Sequence, residues 1–158
     1  MRLFVSLNLD KNTREKLVEV QSAFRDEVEN KFPGSIKWDK PENFHMTLFF
    51  IGDAGEEMAE RIQEELNAVK EKFLGEKFHF ISDSINGFPN LRKPKVTFAS
   101  AETPSQKVFA LSDEIRMSME SFGFKDEKPF RPHITLGRVK KDHRVNLEQV
   151  KTGKFKIY

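Results

Sequence analysis

Hydrophobic and polar positions alternate over residues 2–9, with Leu3, Val5, Leu7 and Leu9 set against Arg2, Phe4, Ser6 and Asn8, which predicts a half-buried first strand. The period then changes. Leu17, Val20, Phe24 and Val28 recur at steps of three and four until Pro33-Gly34, so a helix follows, and Asn12 with Glu15 has the form of its capping box. A short extended piece at 36–38 leads through Lys40-Pro41-Glu42-Asn43 into an apolar strand from Phe44 to Gly52. Met58, Ile62, Leu66, Val69 and Phe73 give the clearest helical stripe in the chain, with Gly75 placed to cap its end. Residues 78–85 alternate again and predict a strand, followed by a loop containing Gly87, Pro89 and Pro94 and by a Val-Thr-Phe strand over 95–101. Thr103-Pro104-Ser105-Gln106 combines a Thr cap with Pro at the first helical position, and Val108, Leu111, Ile115 and Met119 carry a third helix to Gly123. A strand from Phe130 or His133 to Val139 and a last one over 152–158 complete the series. Strands lying this close together exclude an all-parallel sheet, so the predicted class is α+β, with antiparallel sheets and helices packed outside.

Composition narrows the chemistry. A chain of 158 residues with 37% hydrophobic and 33% charged content fits one globular domain, 1–158, or two half-size lobes sharing a core. No run approaches the roughly eighteen apolar residues of a membrane span, and the start lacks a signal-peptide block, so no membrane association and a cytoplasmic location are expected. The chain has no cysteine, which excludes a disulfide framework, thiolate metal ligation and a Cys nucleophile together. Net charge is only +2, so bulk electrostatics does not announce a polyanion binder.

Within that frame one pattern occurs twice. His45-Met46-Thr47-Leu48 is matched by His133-Ile134-Thr135-Leu136, each after a proline-containing loop and each in strand context. Alternation puts each His and Thr on one face while Met46, Leu48, Ile134 and Leu136 pack behind. An imidazole with an unperturbed pKa of about 6.5 can give or take a proton near neutrality, and a threonine on the same face offers a hydroxyl donor. Two such units facing each other would surround a tetrahedral anion, for which phosphate is suited, with an acid, a base and two donors. A single His-x-Thr in a strand more often marks a satisfied structural histidine; duplication in matching context is what raises this pair above that reading. Neither copy has a second His, Asp or Glu at ligand spacing on its face, so no metal and no cofactor are expected.

The paired motifs, with Trp38 and Pro41-Glu42-Asn43-Phe44 before the first and Phe130-x-Pro132 before the second, resemble the 2H phosphoesterase superfamily, and within it the RNA 2′,3′-cyclic phosphodiesterase (2′-5′ RNA ligase) branch. The likeness runs from the first strand to Arg138. It implies a bilobal α+β fold with pseudo-twofold symmetry, in which the two motif strands line a central cleft. It implies hydrolysis of a 2′,3′-cyclic phosphate at an RNA 3′ end to a 2′-phosphate by a metal-independent two-histidine mechanism. By the same resemblance His45 is the proton donor and His133 the proton acceptor, while Thr47 and Thr135 hold the phosphate oxygens. The residues alone leave open which His is the acid. Relatives usually extend beyond the last strand, whereas this chain stops at Tyr158, so the resemblance implies either an incomplete sheet edge there or a shortened sequence.

Five positions after each His stand Phe50 and Arg138. The resemblance gives Arg138 a phosphate contact and Phe50 a ribose or base contact, yet in an unbroken strand both point away from the His. Arg131 shares parity with His133, with Pro132 intervening. Trp38 could stack on a base or pack in the core. Arg92, Lys93, Lys95, Lys140, Lys141 and Arg144 offer a basic rim for an RNA backbone or simply a solvated surface. His79 and His143 lack a Thr partner and read as structural. The expected partner is RNA ending in a 2′,3′-cyclic phosphate, tRNA-like fragments included, and the protein is expected to be a monomer. Two alternatives stand beside hydrolysis: 2′-5′ ligation of such an end to a 5′-hydroxyl, and a module that binds RNA ends without catalysis.

Overall fold

In the computed structural model, which describes residues 1–158 except 104, 105, 127 and 128, the chain is an α+β protein divided into two compact units. Residues 8–46, 80–102 and 133–158 form one of them. Its helix α1 (Lys11–Lys31) is capped by Asp10, whose carboxylate accepts the Thr13 N–H at 2.7 Å. Asp10, rather than Asn12, therefore starts the helix: the Asn12-Glu15 box lies too far in. The cap holds the Asp10 carboxyl below its usual range, chiefly through the hydrogen bond from Thr13. Buried along the helix are Thr13, Leu17, Gln21, Phe24 and Val28, so the expected stripe contains a polar residue, Gln21, and Val20 lies at its margin. Gly34, with φ +69°, turns the chain out of the helix, as the Pro33-Gly34 pair predicts.

Against this helix lie β2 (Ile36–Trp38), the start of β3 (His45–Asp53), β4 (Ile85–Phe88), β5 (Val96–Ser100) and β6 (His133–Val139). All pairings recorded among them are antiparallel. β5 lies between β4 and β6, while β2 and the first residues of β3 share the other edge of β6. The core joins Leu17, Phe24 and Val28 of the helix to Ile36, Ile85, Ala99, Ile134 and Leu136 of the sheet, with Val145, Leu147, Val150 and Ile157 closing it from the C-terminal segment.

Two strand assignments shift. Residues 78–84 contribute only the single bridges Ile81 to Glu102 and Ser82 to Ile157, and the strand forms instead at Ile85–Phe88, within the stretch expected as a loop. Gly87 permits this, because a Cβ there would lie 2.6 Å from the Pro94 side chain. Residues 152–158 likewise make one bridge in place of the expected strand, anchored by the buried Ile157.

The other unit holds residues 1–7, 47–79 and 103–132. Here β1 (Arg2–Asn8) lies beside β3, and α2 (Glu56–Lys72) packs with α3 (Lys107–Ser121). Val5, Leu48, Phe49, Ile62, Val69, Val108, Leu111, Ile115 and Met119 are its buried apolar residues. α3 begins after Gln106; Pro104 and Ser105 of the expected cap lie outside the described residues.

Candidate active site

Met46 on β3 is paired with Ile134 on β6, antiparallel, and both are buried. Their neighbours in each strand must then point the other way. The register sets His45 opposite Thr135, and it sets His45 and His133 diagonally about the Met46–Ile134 pair on the same face, roughly 7–8 Å apart by ordinary sheet geometry. Thr47, two residues after His45 in β3, is half-buried and belongs to the other unit. The two histidines are thus brought together by strand pairing, each with a buried residue behind it.

Each imidazole is oriented. His45 Nδ1 lies 2.6 Å from the Asn43 carbonyl oxygen, which can only accept, so Nδ1 carries the proton and Nε2 is left for chemistry. The 3₁₀ turn Pro41–Asn43, started by Pro41, supplies that carbonyl. The His133 ring meets Phe88 and Phe98 edge to face, at centroid distances of 5.2 and 5.3 Å, and those two rings stack on each other at 4.3 Å. Phe98 is paired with Thr135 and Ser100 with His133, so β5 supplies the wall of this face.

Arg138 joins the same face. Thr97 pairs with Gly137 but Phe98 pairs with Thr135, so Leu136 is an extra residue in β6. Leu136 and Gly137 are both buried, alternation resumes one step late, and exposed Arg138 pairs with Val96, which shares its face with Phe98 and Ser100. The bulge therefore resolves the parity conflict of the unbroken strand. On the other edge Lys37 pairs with Arg138, and Lys140 follows on the exposed side.

Phe50 shows the same run of burial, with Leu48 and Phe49 both buried before it. It is 49% exposed, meets Phe4 at a ring distance of 6.4 Å, and its N–H is held by Asp126 at 3.0 Å. Trp38 takes the core side of its two readings. It packs edge to face on Phe24 at 5.5 Å, lies under Arg25 and donates its indole N–H to Glu29, all on α1. Its ring belongs to the core side of β2, opposite the face of Lys37, because successive strand residues alternate.

Of the other candidates, Arg131 is exposed, Arg92 is paired with Glu148 at 3.3 Å, and Lys93, Lys95, Lys141 and Arg144 are exposed around the loops. His79 and His143 are exposed and stand outside the motif strands. Among the described residues no three His, Asp or Glu side chains are grouped to hold a metal, and no helix is long and apolar enough to cross a membrane.

Two residues of this region carry no motif. Half-buried Asp39 follows Trp38 at the end of β2; burial raises its carboxyl above the usual range against the opposing charges of Arg138, His45 and Lys37. Gln21 donates to both the Asp39 and Leu136 carbonyls. The signal for Gln21 is present in the sequence as a polar residue four after Leu17 and three before Phe24; nothing marks Asp39.

The model of the family described as LigT like phosphoesterase matches residues 7–98 and 100–156. The chain belongs to the LigT-like phosphoesterase family. The relatives of this LigT-like phosphoesterase include the RNA 2′,3′-cyclic phosphodiesterase of Archaeoglobus fulgidus, 31% identical over 141 residues that cover 89% of this chain and 74% of that one. The protein of the same description from Methanothermobacter thermautotrophicus is also 31% identical, with 89% and 72% covered. Among solved structures, one from Thermus thermophilus superposes with a TM-score of 0.69 at 27% identity, covering 99% of this chain and 84% of that one. LigT of E. coli complexed with 3′-AMP gives a TM-score of 0.61 at 21% identity, with 91% and 76% covered, a likeness of fold. The α+β class and the phosphoesterase assignment drawn from the paired motifs both hold.

Proposed function

We propose that this phosphoesterase hydrolyses 2′,3′-cyclic phosphate ends of RNA to 2′-phosphate ends, using His45 as acid and His133 as base. The observation that carries the reading is the Met46–Ile134 register, which sets the two histidines diagonally on one face. The names of the relatives supply the substrate class. Displacement at phosphorus needs the entering and leaving oxygens on opposite sides, and two imidazoles separated by the width of a phosphate meet that need.

In the proposed step, water attacks phosphorus as His133 takes its proton. The bond from phosphorus to the 3′ oxygen breaks, and His45 Nε2 gives a proton to that oxygen. The phosphate stays on the 2′ oxygen. The Nδ1–H bond to the Asn43 carbonyl suits His45 to the donor role, because it fixes Nε2 as the reacting atom. The Thr135 and Thr47 hydroxyls donate to the nonbridging oxygens, and Arg138, brought to this face by the bulge, supplies the charge that stabilises the phosphorane-like transition state. Phe50, exposed at its strand, remains a contact for ribose or base.

The test is incubation of the protein with an oligonucleotide ending in 2′,3′-cyclic phosphate, with EDTA present, beside His45→Ala and His133→Ala. Phosphorus NMR should show a 2′-phosphate with the parent and a loss of about 10²–10⁴ in rate with either variant. A cyclic end that survives the parent protein refutes the reading.

A further inference from the structure

The bulge that brings Arg138 onto the catalytic face has its own support, and it comes from the helix. The carbonyl of the extra residue, Leu136, points toward the gap where β2 has ended and β3 begins to pair with β6. Asp39 comes next in register after Trp38, which pairs with Gly137, so the Asp39 N–H is the strand donor to that oxygen and the helix adds a second. The oxygen accepts the Asp39 N–H at 3.0 Å and the Gln21 side-chain amide at 2.9 Å. The same Gln21 nitrogen donates its second hydrogen to the Asp39 carbonyl at 2.8 Å. One buried amide thus satisfies two carbonyls at the point where the sheet is interrupted, and Gln21 itself is only 7% exposed. On the opposite edge of β6 the Thr97 hydroxyl donates to the Gly137 carbonyl at 3.0 Å. The two peptide units that define the bulge are held from both sides.

We infer that Gln21 is a positioning residue for the phosphodiester reaction: by clamping Leu136 and Asp39 it fixes the bulge that aims Arg138 at the substrate anion. The inference rests on the anion-binding role proposed for Arg138. Gln21 is on α1, on the core side of the sheet, and touches no substrate. Without its amide, the Leu136 carbonyl keeps one of two donors, the Asp39 carbonyl loses the hydrogen bond from Gln21, and the sheet gains by moving toward regular alternation, which turns Arg138 off the face that carries His133 and Thr135. His133 precedes the bulge on β6 and His45 is on β3, so both keep their places.

A double-variant cycle on the full chain tests this, using Gln21→Met, Arg138→Ala and the pair. The readouts are the inhibition constant of inorganic phosphate and kcat/KM for a nucleoside 2′,3′-cyclic phosphate. Arg138→Ala should weaken phosphate binding about 10- to 100-fold, the loss of one charge-assisted anion contact. Gln21→Met should reproduce most of that loss with the pH dependence of kcat unchanged, and the double variant should be no worse than Arg138→Ala alone. Gln21→Asn, which keeps the amide but is one methylene short, serves if the Met variant does not fold, and an inhibition constant is independent of the folded fraction. Effects of Gln21 and Arg138 that multiply, or a Gln21 variant that lowers only the melting temperature, overturn the inference while leaving the functional reading intact. Arg138→Ala without effect on phosphate overturns the inference by removing its premise, and also the role given to Arg138.

Discussion

His133 and Arg138 stand on the same face of β6 although five positions separate them, because Leu136 between them is an extra residue without a partner on β5. The relation depends on how closely β2 can approach the bulge. Gly137 is what permits it: a Cβ there would lie 2.5 Å from the Ile36 side chain and 3.2 Å from the Trp38 ring.

Gly137→Ala is therefore expected to destabilise the fold by about 1–3 kcal/mol, the usual range for forcing extra volume into a packed site. Urea denaturation gives the number. Because β2 must move away from β6, Lys37 is displaced from Arg138, and KM for a cyclic phosphate should rise more than kcat falls. An unchanged midpoint would show that the Ile36 and Trp38 side chains can rotate aside.

The distribution of legible and illegible features follows from range. The motif pair, the α1 and α2 stripes and the strands at 2–8, 36–38 and 133–139 are set by local alternation, and they are readable from the chain. The bulge is a mismatch between two strands distant in sequence, and no periodicity within either strand records it, so parity alone misdirects Arg138. Gln21 looks like a gap in an apolar stripe because its partners are carbonyls of residues 39 and 136. Trp38 is ambiguous for the opposite reason: an aromatic side chain fits a base or a core equally well, and only the indole bond to Glu29 on α1 decides its side. Residues 78–88 mislead because the alternation of Phe78 and Phe80 lies ahead of the place where the ladder begins.

The roles of the two histidines can be separated by leaving group. A diester whose leaving oxygen is a nitrophenolate needs little proton donation. His45→Ala should recover much of its activity on such a substrate relative to the cyclic phosphate, whereas His133→Ala should remain slow on both, since the entering water still needs a base. Rescue of His133→Ala in place of His45→Ala would reverse the assignment.

Asp39 gives a pH-dependent prediction for stability. Burial raises its folded-state pKa, so the folded protein holds the carboxyl proton more tightly than the unfolded chain does. The stability associated with this group is present below the unfolded carboxylate pKa and is lost as pH rises through the folded value. Asp39→Asn removes that loss, so the melting temperature of the variant should exceed the parent's at pH 7 and approach it at a pH below about 3.9, the ordinary aspartate value. The same change deletes a negative charge beside Arg138 and His45, and inhibition by inorganic phosphate at pH 7 should tighten several-fold. A melting-temperature difference that is constant with pH would place the cost of Asp39 in its shape and not in its charge.

Asp10 runs in the opposite sense. Its pKa is lowered by the Thr13 hydrogen bond, so its contribution is present above the unfolded carboxylate pKa and lost as pH falls through the folded value. Asp10→Ala removes the acceptor for the Thr13 N–H and should cost about 1 kcal/mol at pH 7, the common value for a helix N-cap. Asp10→Ser restores an oxygen without the charge and should recover most of that loss, with little of the parent's pH dependence. Both variants leave the His-Thr face untouched, so turnover at a temperature well below the transition should match the parent. If Asp10→Ala changes turnover while Asp10→Ser does not, the start of α1 is mechanically linked to the bulge through Gln21, about three turns further along the same helix.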